Sequence, residues 1–203
     1  MVSIRGILFD FGNVIYRIDQ QRLVLELSAL SGKPPGDVYQ RVTAGAALAR
    51  EYESGLLTSE AFLEHISVLL EHPFEKVSFI RAFNAYFTPM DATCHLIRRL
   101  KPHYLLGLVS NTNPWHAEHT IQRSEVYPLF DAVSLSFEVK AFKPDPRLLE
   151  DALDKLGLEA AQCVFIDDLA VNVEGARGMG LHGILYTNHA SLLASLEELG
   201  VAC

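Results

Sequence analysis

The sequence predicts an α/β fold, a doubly wound parallel sheet with an inserted helical cap, on three observations. From residue 88 onward, apolar runs of strand length alternate with amphipathic helical stretches, the pattern of a parallel sheet covered by helices on both faces. Several of those runs stop abruptly on polar or acidic residues, at Asp10, Ser110 and Asp167-Asp168. Between residues 17 and 87 the apolar spacing is helical and no stretch reads convincingly as a strand. Residues 1–16 and 88–203 are therefore expected to form the core, with residues 17–87 a cap over one edge of it.

Taken in order, Ile7-Leu8-Phe9 is an apolar strand delivering Asp10 to a tight Gly12-Asn13 turn. Leu23, Leu25, Leu27 and Leu30 mark a first helix, stopped by Ser31-Gly32 and the following prolines. Residues 37–53 read as one second helix ended by Gly55, residues 59–70 as a third and residues 75–87 as a fourth. Thr88-Pro89-Met90-Asp91 opens a helix through Leu96 and Leu100. Residues 104–109 form a strand ending at Ser110, and Pro114 is placed to open a helix reaching Glu125. Ala132 to Leu135 is a short strand. Pro146 to Leu156 is a helix closed by Gly157, residues 163–166 a strand ending in Asp167-Asp168, residues 172–179 a helix, residues 182–186 the last strand and residues 191–199 the last helix.

Composition narrows the function classes. With 203 residues, 49% of them hydrophobic, the chain can bury one sizeable core with a modest insert, since domains commonly run about 100–200 residues. Seventeen Lys and Arg against 25 Asp and Glu leave a formal net charge of -8, which repels polyanions and disfavours nucleic acid and anionic membrane as partners. Cys94, Cys163 and Cys203 are odd in number and form no C-x-x-C pair, so neither a disulfide framework nor a zinc knuckle is indicated. Residues 1–6 run straight into the first strand, and no apolar stretch approaches the roughly 20 residues of a membrane helix. A soluble, cytoplasmic protein is the expectation.

Open parallel sheets bind ligands beyond the carboxyl ends of their strands, where Asp10, Ser110 and Asp167-Asp168 would meet. Three carboxylates at one edge repel one another unless a cation joins them, and hard oxygen ligands of this kind suit Mg²⁺, with the Gly12 carbonyl able to complete the set. Ser110, Asn111 and Thr112 offer hydroxyl, amide and backbone donors for phosphate oxygens. Lys143, stiffened by Pro144, can bring an ammonium against a bound phosphate and a carboxylate nucleophile. Any one of these stretches alone reads as a turn, a helix cap or a solvated lysine; the ordered set does not.

That set, Asp10-Phe11-Gly12-Asn13-Val14, Ser110-Asn111-Thr112, Lys143-Pro144-Asp145 and Asp167-Asp168 with Asn172 and Gly175-Ala176, resembles the four motifs of the haloacid dehalogenase superfamily, nearly end to end. The resemblance implies a Rossmann-like core, Asp10 as nucleophile, Ser110, Asn111 and Lys143 as phosphate binders, and Asp10, Gly12, Asp167 and Asp168 as Mg²⁺ ligands. Glu51-Tyr52-Glu53-Ser54-Gly55-Leu56 is similar to a cap segment of the sugar-phosphate phosphatase branch, and of the phosphatase domain attached to some epoxide hydrolases. The activity implied is hydrolysis of a small phosphorylated metabolite, such as an aldose 1-phosphate, through phospho-Asp10. One position departs from the pattern. Most phosphatases of the superfamily carry a general acid/base Asp two residues after the nucleophile, and here that residue is Gly12. General acid/base help is worth about 10²–10⁴ in rate, so turnover should be slow unless the leaving group is good. Two other readings follow from the gap: hydrolytic carbon–halogen cleavage by the same aspartate, or a non-enzymatic phospho-acceptor. His116 is a further candidate acid, set against ordinary helix polarity, and Tyr16, Arg50 and Tyr52 are lid candidates for specificity.

Overall fold

The computed structural model describes residues 3–202; Met1, Val2 and Cys203 lie outside the described residues. Five parallel strands make the main sheet: β1 (Gly6–Phe9), β4 (Leu105–Ser110), β5 (Ala132–Leu135), β6 (Cys163–Asp167) and β7 (His182–Leu185), in the order β5-β4-β1-β6-β7. The chain moves outward from β1 through β4 to β5, then crosses back to β6 and β7, so the order reverses between β1 and β6. Ligand crevices form at such a reversal.

Alternation along the strands explains the layers. Ile7 and Phe9 of β1 face one core with Leu106, Leu108, Val164 and Ile166, closed by α6 (Asp91–Leu100) and α11 (His189–Glu198). Leu8 faces the other with Val109 and Phe165, closed by α9 (Pro146–Leu156) and α10 (Ala170–Gly178). The three central strands, β1, β4 and β6, are thus buried on both sides, which is why each reads as an unbroken apolar run. Gly157 ends α9 at φ 64°, the left-handed conformation that glycine adopts without steric cost.

The cap holds five helices: α1 (Gln20–Ser31), α2 (Pro35–Ala44), α3 (Ala46–Glu53), α4 (Ser59–Leu69) and α5 (Lys76–Asn84). Three sequence expectations need correction. The single helix expected over 37–53 breaks at Gly45 into α2 and α3, because Gly45 is a poor helix residue and caps both segments. The cap boundary is stranded: β2 (Tyr16–Ile18) pairs antiparallel with β3 (Phe87–Pro89), a ribbon of three-residue strands too short to show a period. The helix expected from Pro114 to Glu125 is only the short turn α7 (Pro114–His116) continued by a π-helical segment from Ala117 to Ile121. A further turn, α8 (Ser136–Val139), follows β5 directly. Among the described residues no helix is long and apolar enough to cross a membrane.

Candidate active site

Register assembles the site. Phe9 pairs with Leu108 on one side and Ile166 on the other, so the next rung carries Asp10, Val109 and Asp167, and Ser110 stands one rung higher at the mouth. Lys143 arrives from the loop before α9 and binds all three members of that rung. Its Nζ donates to Asp10 Oδ1 at 2.6 Å, to Asp167 Oδ2 at 2.7 Å and to the Val109 carbonyl at 3.0 Å. Burial opposes the lysine's charge, but the two carboxylates outweigh it and hold its pKa above the ordinary value. For Asp10, burial pushes the pKa up to about 6, with Lys143 pulling down and Asp167 pushing further up.

The acidic residues have unequal surroundings. Asp167 is fully buried and held by Lys143, by the Leu169 N–H at 2.8 Å and by the Asn172 amide at 2.9 and 3.1 Å. Asp168 is only half-buried and takes the Asn13 amide at 3.0 Å; Asn13 stands at φ 54°, a left-handed turn that Asn tolerates. One oxygen from each of Asp10, Asp167 and Asp168 lies within 4.8 Å of the others. Three hard oxygens at that spacing fit a small divalent cation, and Asp168 is the least committed of them.

The structure brings together Asp10, Lys143, Asp167 and Asp168, with Ser110 buried beside them. Asn111 serves differently from the phosphate contact expected of its side chain. Its Oδ1 accepts the Lys143 N–H at 2.8 Å and its Nδ2 reaches the Lys143 carbonyl at 3.4 Å, so it clamps the backbone that aims the lysine. Gly175 lets α10 approach the same loop: a Cβ there would lie 3.1 Å from Pro144 Cβ.

His116 is neither an acid nor ordinary helix polarity. It is buried, its Nδ1 accepts from the Asn113 amide at 2.8 Å and its Nε2 donates to the Phe83 carbonyl at 3.0 Å. Burial drives its pKa down to about 3, leaving a neutral ring that ties α7 to the cap. Tyr52 is likewise removed from the lid surface: it is fully buried, stacked on Phe62 and bonded to Ser59. Tyr16 stacks on Phe11, whereas Arg50 is exposed, its guanidinium 4.8 Å from the Phe142 ring centroid. Sequence reasoning gave Asn13 and Asn172 no task of their own and passed over Ser136, whose hydroxyl takes the Thr112 N–H at 2.9 Å and reaches the Glu53 carbonyl at 2.5 Å. A serine directly after a strand carries no signal of such a bridge.

Comparison with known proteins agrees with this fold. The D-ribitol-5-phosphate phosphatase of Bacteroides thetaiotaomicron is 24% identical over 187 residues, 87% of this chain and 89% of that enzyme. The (S)-2-haloacid dehalogenase of Pseudomonas putida is 25% identical over 191 residues, 89% of this chain and 83% of that one. A HAD family enzyme of B. thetaiotaomicron, solved with magnesium and inorganic phosphate, shares the fold at a TM-score of 0.81 and 21% identity, over 91% of this chain and 95% of that one. The family match itself runs over residues 4–180, and the chain belongs to the haloacid dehalogenase-like hydrolases.

Proposed function

We propose that this hydrolase is a Mg²⁺-dependent phosphomonoesterase acting through a phospho-aspartate on Asp10, on a small sugar phosphate such as an aldose 1-phosphate. The observation that carries the reading is the Lys143 ammonium wedged between Asp10 and Asp167 with the Asp168 carboxylate alongside. A lone buried carboxylate resists ionisation; with Lys143 bound it stays largely ionised at pH 7 and is held in one orientation for attack at phosphorus. Ser110 at the rung above offers its hydroxyl to a phosphate oxygen, and Asn111 keeps Lys143 in place as charge moves from Asp10 to the phosphoryl group. Asp10, Asp167, Asp168 and the Gly12 carbonyl would hold Mg²⁺, whose charge would let one anion approach another.

The phosphatase relative, and the magnesium and phosphate bound by the structural neighbour, support this choice within the family. The dehalogenase relative keeps carbon–halogen hydrolysis as the second reading; the carboxylate trio, with no evident use in halide displacement, weighs against it. A phosphomonoester panel with and without Mg²⁺, run beside 2-chloropropionate and scored against Asp10→Asn, separates them. Phosphate release that needs both Mg²⁺ and Asp10 is the expected result. Chloride release without phosphate release reverses the assignment.

A further inference from the structure

A Cβ on Gly12 would stand 2.7 Å from Ile18 Cδ1, the tip of a side chain that would have to turn aside. The place where the family keeps its acid is under an apolar cover. Ile18 is also one wall of a cavity of about 1180 Å³ lined mostly by residues 18–53, and Phe142, the neighbour of Lys143, is another. Ile18 stands against Gly12 and Phe142 precedes Lys143, so a leaving group that extends past these two side chains would enter this cavity. Glu53, the last residue of α3, lines the same cavity beside Arg50 and Tyr86 and also lines a smaller one of about 120 Å³ with Asn113 and His116.

We propose that Glu53 is the acid that position 12 lacks, giving its proton to the leaving-group oxygen as the phosphorus–oxygen bond breaks. This rests on the phosphatase reading above. As an Asp10 oxygen bonds to phosphorus, the ester P–O bond breaks and its electron pair goes to the departing oxygen. That oxygen takes the proton from the Glu53 carboxyl, leaving an alcohol, a Glu53 carboxylate and phospho-Asp10. The carboxylate is then in the form that can accept a proton from the water that cleaves the acyl phosphate.

Anchoring favours the role. The Glu53 carbonyl is bonded to the Ser136 hydroxyl, which also takes the Thr112 N–H, two residues past Ser110. The end of α3 is thus fixed to the strand end that would bind phosphate. Protonation favours it too. Burial raises the Glu53 pKa to about 7, with Arg50 on the preceding turn the opposing influence. Of the other buried groups facing the two cavities, Tyr52 and Tyr86 have their pKa values raised by burial, and His116 is held neutral. None of the three can supply a proton near pH 7.

The test is a series of para-substituted phenyl phosphates, from p-nitrophenyl to p-methoxyphenyl, followed by kcat/KM in the Mg²⁺-loaded protein. The nitrophenolate leaves without help and the methoxyphenolate needs a proton. Glu53→Gln should leave p-nitrophenyl phosphate within a few-fold of wild type and slow p-methoxyphenyl phosphate at least tenfold more. In wild type the rate with the poorer leaving group should fall as pH rises through about 7, since the acid works only when protonated, and Glu53→Gln should lose that limb. Retained p-nitrophenyl activity shows that the variant is folded. Equal losses across the series, or none, overturn the role for Glu53 while leaving phospho-Asp10 standing. Absence of Asp10-dependent turnover in wild type overturns the phosphatase reading and this proposal with it.

Discussion

Lys143 is the residue on which the electrostatics of the site turn. It is almost wholly buried, and its ammonium pairs with two carboxylates, that of Asp167 fully buried and that of Asp10 nearly so. Removing one partner from such a cluster leaves uncompensated charge in the interior, at a typical cost of about 3–5 kcal/mol. Lys143→Met should therefore lower unfolding stability by roughly that amount at pH 7 as well as abolish activity; a denaturant midpoint equal to wild type would contradict the packing described. Asp10 works in the opposite sense. Its folded pKa of about 6 stands above the ordinary carboxylate value of 3.8, so folding holds this proton more tightly than the unfolded chain does. Below about pH 4 the group is neutral in both states and costs nothing. As pH rises through 6 the penalty develops in full. Without added divalent ion, Asp10→Asn should be more stable than wild type by on the order of 1–3 kcal/mol at pH 7–8, with the difference closing toward pH 4 in denaturation curves. A difference independent of pH would show that burial does not hold the Asp10 pKa above its ordinary value.

At the scale of elements, α7 is one of the points that fasten the cap to the core. Trp115 leaves the core to enter the cap's aromatic cluster, with ring centroids 5.7 Å from Tyr52 and Phe79 and 6.2 Å from Phe62. His116 bonds the Phe83 carbonyl from the same turn. Two consecutive side chains on a three-residue turn thus set how the cap sits over the strand ends. Truncating a buried tryptophan costs about 3–5 kcal/mol, and here the loss falls on the cap. Trp115→Ala should raise amide hydrogen exchange across α3, α4 and α5 while β1, β4 and β6 stay protected. Uniform loss of protection across both regions would mean that cap and core open as one unit.

For the molecule as a whole, the central strands β1, β4 and β6 are readable because burial on both faces leaves nothing polar within them, so the polar residue that ends each run stands out. Asp10, Ser110 and Asp167-Asp168 were found that way, and register does the rest by placing them on adjacent rungs. What escaped the sequence was set by contacts across distance. The β2–β3 ribbon is three residues a side, too short for any period, and the break at Gly45 depends on how α2 and α3 pack. His116 resembles a surface histidine until Phe83 and Asn113 are found against it. Glu53 reads as one more acid on a helix; only its place on the cavity wall beside the covered Gly12 gives it a task. The proposed cation site is a property of the assembled edge, since its carboxylates come from the ends of β1 and β6. Mg²⁺ at about a hundred-fold excess over its dissociation constant should stabilise the fold by about 2.7 kcal/mol, a rise of roughly 5–10 °C in the thermal midpoint for a domain of this size. Asp168→Asn should remove most of that rise, and an undiminished shift would place the ion elsewhere.

All of this depends on Asp10 forming a bond to phosphorus. The direct measurement is mass spectrometry of peptides from protein acid-quenched during turnover of a phosphomonoester with Mg²⁺. The peptide containing Asp10 should carry one added phosphoryl group, lost in alkali and missing from Asp10→Asn and from protein without Mg²⁺. Steady phosphate release with that peptide unmodified at every quench time would mean that water attacks the ester directly, and Asp10 would not be the nucleophile.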